Sequence, residues 1–437
     1  MSFTRTLRAV GGAVVAGALL FGTAPVASAD QIRHDQWPLR SFGADDIWKV
    51  STGKGVTVAV IDDPVDGSHP DLKGNVLPGK SFVDGGTADS PDGKNEHGTA
   101  MASLIAGHGH GPGGSDGVKG LAPDAKILPV GIDLGDKEES YAEPLRYAVD
   151  HGAKVVNMSF EDFGDTSPAE KAAVDYARKH DVLLVAASGN SGSSIPHLPS
   201  SVPGVLAVGA VDIDLKVWKF SSYGSHIKLL APGLHIRAAG VESPYRLANG
   251  TSDSAAYVSA AAALLRSKFP DLTAGQIANR LVKTAGLPDD MKGKKLPDPH
   301  YGYGFIRPSK ALTANIPAGS ENGPLPALKD GSSKASGNGK DAQQATASDE
   351  GMSTGVIIGI VGGVVGLLVV VLIVVLVVKK KSGRNGPPPG GPGGFGGPGG
   401  PGGPGGFVPH PPNSGYQQQP SAPGSYPSAP PTQPPGR

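Results

Sequence analysis

A chain of 437 residues with 39 basic and 39 acidic side chains carries no formal net charge, so electrostatics give no case for a nucleic-acid partner. It contains no cysteine, which excludes thiol catalysis and cysteine-ligated metals and leaves an exported fold to rest on packing alone. Setting aside the low-complexity and apolar terminal segments leaves about 280 residues, enough to bury one large core without staples.

In chain order, Arg5 and Arg8 precede an apolar run over residues 9–22 that leads to Ala27-Ser28-Ala29. This is the pattern of a signal peptide over 1–29, and the run is short for an uncleaved anchor. Residues 30–54 form a lead-in to a domain over 55–312. There, "GVTVAVID" (55–62), "KILPVGI" (126–132), "AKVVNMSF" (153–160), "DVLLVAAS" (181–188) and "GVLAVGAV" (204–211) each predict a buried strand of a mainly parallel sheet. Helical patterns lie between them: "HGTAMASLIAG", "YAEPLRYAVDHG" and "SPAEKAAVDYARKHD", the last opening on a capping box of Ser167 and Glu170 with Pro168 at the first helical position. Alternation of this kind predicts a doubly wound α/β domain with helices on both faces.

Residues 313–354, rich in Ser, Ala, Gly, Asn, Lys and Asp, read as a disordered, hydrated stalk. Residues 355–378 hold no charge and no proline and, at ~1.5 Å per residue, are long enough to cross a ~30 Å hydrocarbon core as one transmembrane helix. Lys379, Lys380, Lys381 and Arg384 follow at once, which places that end in the cytoplasm and residues 30–354 outside. Over 379–437 a basic start gives way to Gly/Pro-rich sequence that cannot bury a core, a disordered cytoplasmic tail. The expected location is the cell membrane, single-pass, with the domain extracytoplasmic.

Functional groups of such sheets gather at the carboxyl ends of the strands. Asp62 ends the first predicted strand, Ser159 follows the third and Asn190 the fourth, while His97 and Ser252 open helices. Serine is a poor nucleophile until an imidazole takes its proton, and the imidazole needs a carboxylate to fix its tautomer. An oxyanion needs donors, which an Asn side chain and a helix N-terminus supply. Ser252 could also be a capping serine, but that leaves Asp62, His97 and Asn190 without a role.

The segments "VAVIDDPVDGSHPDL", "HGTAMASLIAG", "GLAPDAKILPV", "VVNMS", "VAASGN", "FSSYG", "LAPG" and "NGTSDSAAYVSAAAALL" occur in the order and context of the subtilisin-like serine proteases, a resemblance covering about residues 50–312. Acid, histidine, serine is the known subtilisin chain order. The resemblance implies Asp62 as orienting acid, His97 as general base, Ser252 as nucleophile, Asn190 as oxyanion donor, and hydrolysis of a polypeptide substrate through an acyl-enzyme with no cofactor. With a signal peptide, stalk and C-terminal span, the layout is similar to the mycosins, membrane-anchored subtilases of actinobacterial type VII secretion. That likeness implies secretion-complex subunits as possible partners, and a low-activity structural component of such a complex as the alternative to a protease. The lead-in is too short for a folded inhibitory prodomain; its Trp37, Leu39 and Trp48 predict packing along the domain.

The chain departs from the family at three places. Asp62 is followed by Asp63-Pro64 where Thr-Gly is usual, and Pro64 has no N–H to offer a carboxylate. Ser159 is followed by Phe160-Glu161-Asp162 where Leu-Gly-Gly is usual, so the substrate-binding segment is either recruited for basic side chains or partly blocked. Ser252 is followed by Asp253, whose charge opposes an oxyanion and favours an imidazolium. Elsewhere, His108 and His110 alternate like ligands but lack an evident partner and read as a flexible loop, not a metal site. Asp212 and Asp214 read as a strand turn.

Overall fold

In the computed structural model, the described residues are 31–326 except 84, 92–94 and 135–139. A seven-stranded sheet runs in the order β2 (Lys80–Ser81), β5 (Lys126–Gly131), β1 (Thr57–Asp62), β6 (Val155–Met158), β7 (Leu183–Ala187), β8 (Val205–Val211) and β9 (Ile227–Pro232). All six pairings are parallel. Each predicted strand is present within two residues of its expected ends, because β-branched runs buried on both faces have no other stable place in a domain of this size.

Successive side chains on a strand point to opposite faces, and the core divides accordingly. Val58, Val60, Leu183 and Val185 join one cluster with α3 (His97–Ala106), α6 (Thr251–Lys268) and α7 (Ala274–Thr284). Ala59, Ile61, Leu184 and Ala186 join the other with α4 (Ala142–Asp150) and α5 (Pro168–Lys179). The α5 capping box is formed: Ser167 Oγ accepts from Glu170 N at 3.2 Å and Glu170 Oε2 accepts from Ser167 N at 2.8 Å. Helix α6 is buried on every side through its first sixteen residues. Its alanines let it approach the sheet closely enough to lie against β6, β7, β8 and β9.

After a helical stretch at 31–35, the lead-in forms α1 (Trp37–Phe42) and α2 (Ala44–Trp48), with Trp37, Leu39 and Ile47 buried. Trp37 Nε1–H donates to Leu234 O at 2.9 Å and Trp48 Nε1–H to Leu121 O at 3.0 Å. At the other end, α8 (Pro308–Thr313) is followed by irregular chain held along α7. There Asn279 Nδ2 donates to Ala318 O at 3.1 Å, and Arg280 donates to Ala314 O at 2.8 Å and Ile316 O at 3.2 Å. The first residues of the stretch expected to be stalk are therefore ordered against the domain.

The expected loop at His108 and His110 is instead strand β3 (His108–His110), paired antiparallel with β4 (Asp116–Lys119). His110 does have an acidic partner: its Nδ1 lies 2.6 Å from Asp71 Oδ1, and Asp71, fully buried, also accepts from Val118 N at 2.7 Å. That pairing bridges 39 positions in sequence. Asp212 does cap a strand turn, Oδ1 accepting from Asp214 N and Lys216 N at 2.9 Å. The leader over 1–29, the apolar run at 355–378 and the tail at 379–437 lie outside the described residues; among those described, no helix is long and apolar enough to cross a membrane.

Candidate active site

Asp62 is the last residue of β1 and is completely buried. Strand β1 lies beside β6, with Ile61 opposite Met158, so Asp62 and Ser159 leave neighbouring strand ends on the same side. His97 is the first residue of α3. The next residue must be glycine: a Cβ on Gly98 would fall 1.9 Å from the Asp63 carbonyl oxygen, so any side chain would push the helix start off the chain leaving β1. Packed there, His97 Nδ1–H donates to Asp62 Oδ1 at 2.7 Å. The same oxygen accepts from Asp63 N at 2.9 Å. Asp62 Oδ2 is buried with no hydrogen-bond partner, and residue 64, a proline, has no N–H to give it.

With Nδ1 carrying the proton, the neutral imidazole presents a lone pair at Nε2. Burial opposes the charged imidazolium, but the Asp62 carboxylate and its hydrogen bond outweigh that cost and hold the His97 pKa above its ordinary value. The side chain is a quarter exposed.

Ser252, second residue of α6, is 7% exposed. It and Ser159 are reciprocally bound: Ser252 Oγ donates to Ser159 O at 3.0 Å, and Ser159 Oγ donates to Ser252 O at 3.1 Å. A buried relay continues behind them, Asn157 Nδ2 donating to Ser159 Oγ at 2.8 Å and Ser259 Oγ to Asn157 Oδ1 at 3.0 Å. In this conformation the Ser252 hydroxyl is directed to a carbonyl and not to His97.

Asn190 follows β7 and is exposed. Its Oδ1 accepts from Thr251 N at 2.9 Å and Thr251 Oγ1 at 3.0 Å, which fixes the amide with Nδ2 free of any acceptor among the described residues. The Ser252 N–H, in the first turn of α6, has no acceptor within its own helix. Asp253 is 1% exposed with Oδ1 unpartnered, and burial pushes its pKa up to about 6 against the opposing fields of Arg246 and His97. At neutral pH a buried negative charge therefore adjoins Ser252.

The segment after Ser159 divides its side chains. Phe160 is partly buried and packs onto Tyr141, ring centroids 6.0 Å apart. The Asp162 backbone exchanges two 2.9 Å hydrogen bonds with Leu198, and its Oδ1 accepts from Phe163 N at 2.6 Å. Glu161 alone crosses toward Asn190, whose N–H donates to Glu161 Oε2 at 3.2 Å. Below it, His197 is wholly buried, Nδ1 3.2 Å from Glu161 Oε2 without hydrogen-bond alignment and Nε2 3.2 Å from Ser191 Oγ. No group of three His, Asp or Glu residues arranged to hold a metal exists among the described residues.

Sequence reasoning missed Asn157, Ser259 and His197. Asn157 sits inside a strand that reads as apolar, where a buried amide is itself a signal that a partner must exist. Ser259 carries no local mark, since its partner lies 102 positions away, and His197 meets Glu161 across 36 positions.

The sequence profile of the subtilase family matches residues 53–304, more than half of the chain. Among curated relatives, subtilisin BL of Lederbergia lenta is 39% identical over 54% of this chain and 84% of its own length. Fervidolysin of Fervidobacterium pennivorans is 33% identical over 66% of this chain, which spans only 45% of fervidolysin. Among solved structures, MycP1 of Mycobacterium smegmatis aligns with a TM-score of 0.57 at 30% identity, covering 67% of this chain and 88% of that one. MycP1 is described as an essential component of the ESX-1 type VII secretion system. The matched span encloses Asp62, His97, Asn190 and Ser252, and with the parallel sheet and the helices packed on it this shows that the chain belongs to the subtilase family.

Proposed function

We infer that the chain is a serine endopeptidase that hydrolyses peptide bonds through an acyl-enzyme on Ser252. The observation that carries this reading is the 2.7 Å bond from His97 Nδ1–H to Asp62, at a strand end adjacent to the Ser159 carbonyl on which Ser252 rests. In the reaction the Ser252 hydroxyl leaves that carbonyl, transfers its proton to His97 Nε2, and Oγ bonds to the scissile carbonyl carbon. Asp62 stabilises the imidazolium so formed. The oxyanion takes hydrogen bonds from Asn190 Nδ2 and the Ser252 N–H. Collapse breaks the C–N bond as Nε2–H protonates the departing amine, and water then repeats the sequence on the ester with His97 as base.

The wider reading is an extracytoplasmic protease held in the cell membrane by residues 355–378 and associated with type VII secretion. Its support is the uncharged run with Lys379, Lys380 and Lys381 behind it, together with the likeness to MycP1. A second reading, a structural subunit of a secretion complex with little turnover, is favoured by the resting hydroxyl bound to the Ser159 carbonyl and by the charge of Asp253.

Fluorophosphonate labelling of the full-length chain tests the enzymatic reading. A covalent adduct on Ser252, absent in Ser252→Ala, is expected. No adduct, with secretion-complex assembly surviving Ser252→Ala, would favour the structural reading. Protease protection of the domain in intact cells, lost on cell lysis, would overturn the extracytoplasmic placement.

A further inference from the structure

We propose that Glu161 is a specificity-determining residue that selects a lysine or arginine at P1, the substrate residue whose carbonyl Ser252 attacks; this rests on the endopeptidase reading. Two contacts place Glu161 beside that carbonyl. It stands two residues after Ser159, which is bound to Ser252, and its carboxylate accepts from the N–H of Asn190, whose side chain is bound to Thr251. An oxyanion held between Asn190 Nδ2 and the Ser252 N–H directs the adjoining P1 side chain into the space between the chain at 159–161 and the chain at 188–190, which Glu161 spans.

Glu161 reaches Asn190 because Gly189 has no side chain. A Cβ there would lie 2.4 Å from Glu161 Oε2, and Gly189 has a φ of +106° that disfavours any other residue. One carboxylate oxygen, Oε2, is thus fixed by a backbone N–H, while Oε1 has no partner among the described residues and the side chain stays 32% exposed. Its only ion-pair neighbour among the described residues is the buried His197; no lysine or arginine lies within ion-pair distance. A carboxylate held in place, part-exposed and with no lysine or arginine beside it among the described residues, is arranged to receive a cation from outside the chain.

The wall suits the rest of such a side chain. Phe163 is 60% exposed, with its ring edge-on at 4.9 Å to His197, the neighbour of Glu161. A methylene stem along this apolar surface with a charged head at Oε1 is the form of lysine and arginine.

The test uses the full-length chain and a peptide series differing only at P1 (Arg, Lys, Gln, Phe, Glu), read in two ways. One is hydrolysis. The other is binding of the same peptides to Ser252→Ala, which needs no turnover. Arg and Lys are expected to exceed Gln and Phe by about tenfold or more in kcat/KM and in affinity, with Glu poorest, as for a gained charge-assisted hydrogen bond. Glu161→Gln is expected to bring Arg and Gln within about threefold of each other. A flat P1 profile in the parent chain overturns the proposal. So does a rise for every P1 residue in both Glu161→Gln and Glu161→Gly, which would make the side chain a plug. Fluorophosphonate labelling separates the two inferences: a flat profile with Ser252 labelled overturns the P1 selection alone, whereas loss of labelling overturns the endopeptidase reading and leaves the affinity series to decide Glu161.

Discussion

Ser159 and Ser252 exchange hydrogen bonds across two elements, each hydroxyl donating to the other's carbonyl at 3.1 and 3.0 Å. The pair locks the start of α6 to the end of β6, and Asn157 and Ser259 extend the lock into the core. Ser159→Ala removes the donor to the Ser252 carbonyl and the acceptor for Asn157 Nδ2 at once. Stability is expected to fall by about 1–3 kcal/mol, the cost of leaving a buried polar group unmet. If Ser252 is the nucleophile, as proposed, the lock positions it, so kcat should fall with KM little changed. Urea unfolding and steady-state kinetics on a peptide substrate check both, and an unchanged kcat would show that the pair serves stability alone.

Asp62 holds His97 through one oxygen while the other is buried without a partner. Asp62→Asn can present either an acceptor or a donor to Nδ1, and the favoured tautomer then places the proton on Nε2, where it cannot accept from serine. A loss of about 10⁴-fold in kcat is expected, as for the same exchange in other Asp-His-Ser enzymes, with peptide affinity retained. Kinetics normalised by fluorophosphonate titration of competent sites are the measure. A loss under about tenfold would remove Asp62 from the catalytic set.

Asp253 links activity and stability to pH with a definite sign. Its native pKa, raised by burial to about 6, exceeds the ordinary carboxylate value, so the native state keeps a proton that the unfolded chain has released. That contribution is complete below about pH 4 and is lost as pH rises through 6, about 3 kcal/mol in all. Asp253→Asn should therefore raise Tm at pH 8, by about 5–10 °C for a domain of this size, and change it little at pH 4. The neutral amide also stops opposing the oxyanion, which at ~6 Å and an effective dielectric of ~20 is worth up to about a hundredfold in rate. Because Asp253 is one of the groups raising the His97 pKa, the acid limb of the kcat/KM profile should move to lower pH in the variant. Equal Tm differences at pH 4 and pH 8 would sink this account.

What could be read from the residues alone followed from local physics. Central strands are legible because Val, Ile and Leu repeat over runs that only a covered parallel sheet accommodates, and the α5 start is legible because Ser167, Pro168 and Glu170 state their roles within four positions. The edge strand β2, the β3–β4 pair and the pair of β10 (Ile236–Ala239) with β11 (Tyr245–Ala248) were not, since two to four residues rich in Gly or charge give no period. Within the site, the separate members were legible as polar residues ending apolar runs, but their connections were not. Glu161 meets Asn190 and His197 through a crossing of chain segments, and Phe160 packs on Tyr141, 19 positions before it in sequence.

Trp37 tests whether the lead-in belongs to the fold or merely lies on it. Its ring is 6% exposed, it joins the cluster that contains α3 and α6, and its Nε1–H meets the Leu234 carbonyl. Around it, Gln36 donates to Lys119 O and accepts from Lys119 N, both at 2.9 Å, and Asp35 pairs with Arg237 at 3.0 Å. An ornamental segment would have none of these in register with β4 and β10. Trp37→Ala leaves a cavity of indole size and an unmet carbonyl, so a loss of about 3–5 kcal/mol is expected, seen as a fall in urea midpoint at constant m. Trp37→Phe keeps most of the volume and loses chiefly the hydrogen bond, for about 1 kcal/mol. If both variants unfold at the parent midpoint, the lead-in contributes nothing to the domain's stability; if Trp37→Ala alone collapses it, residues 35–48 are structural and cannot be an inhibitory segment awaiting removal.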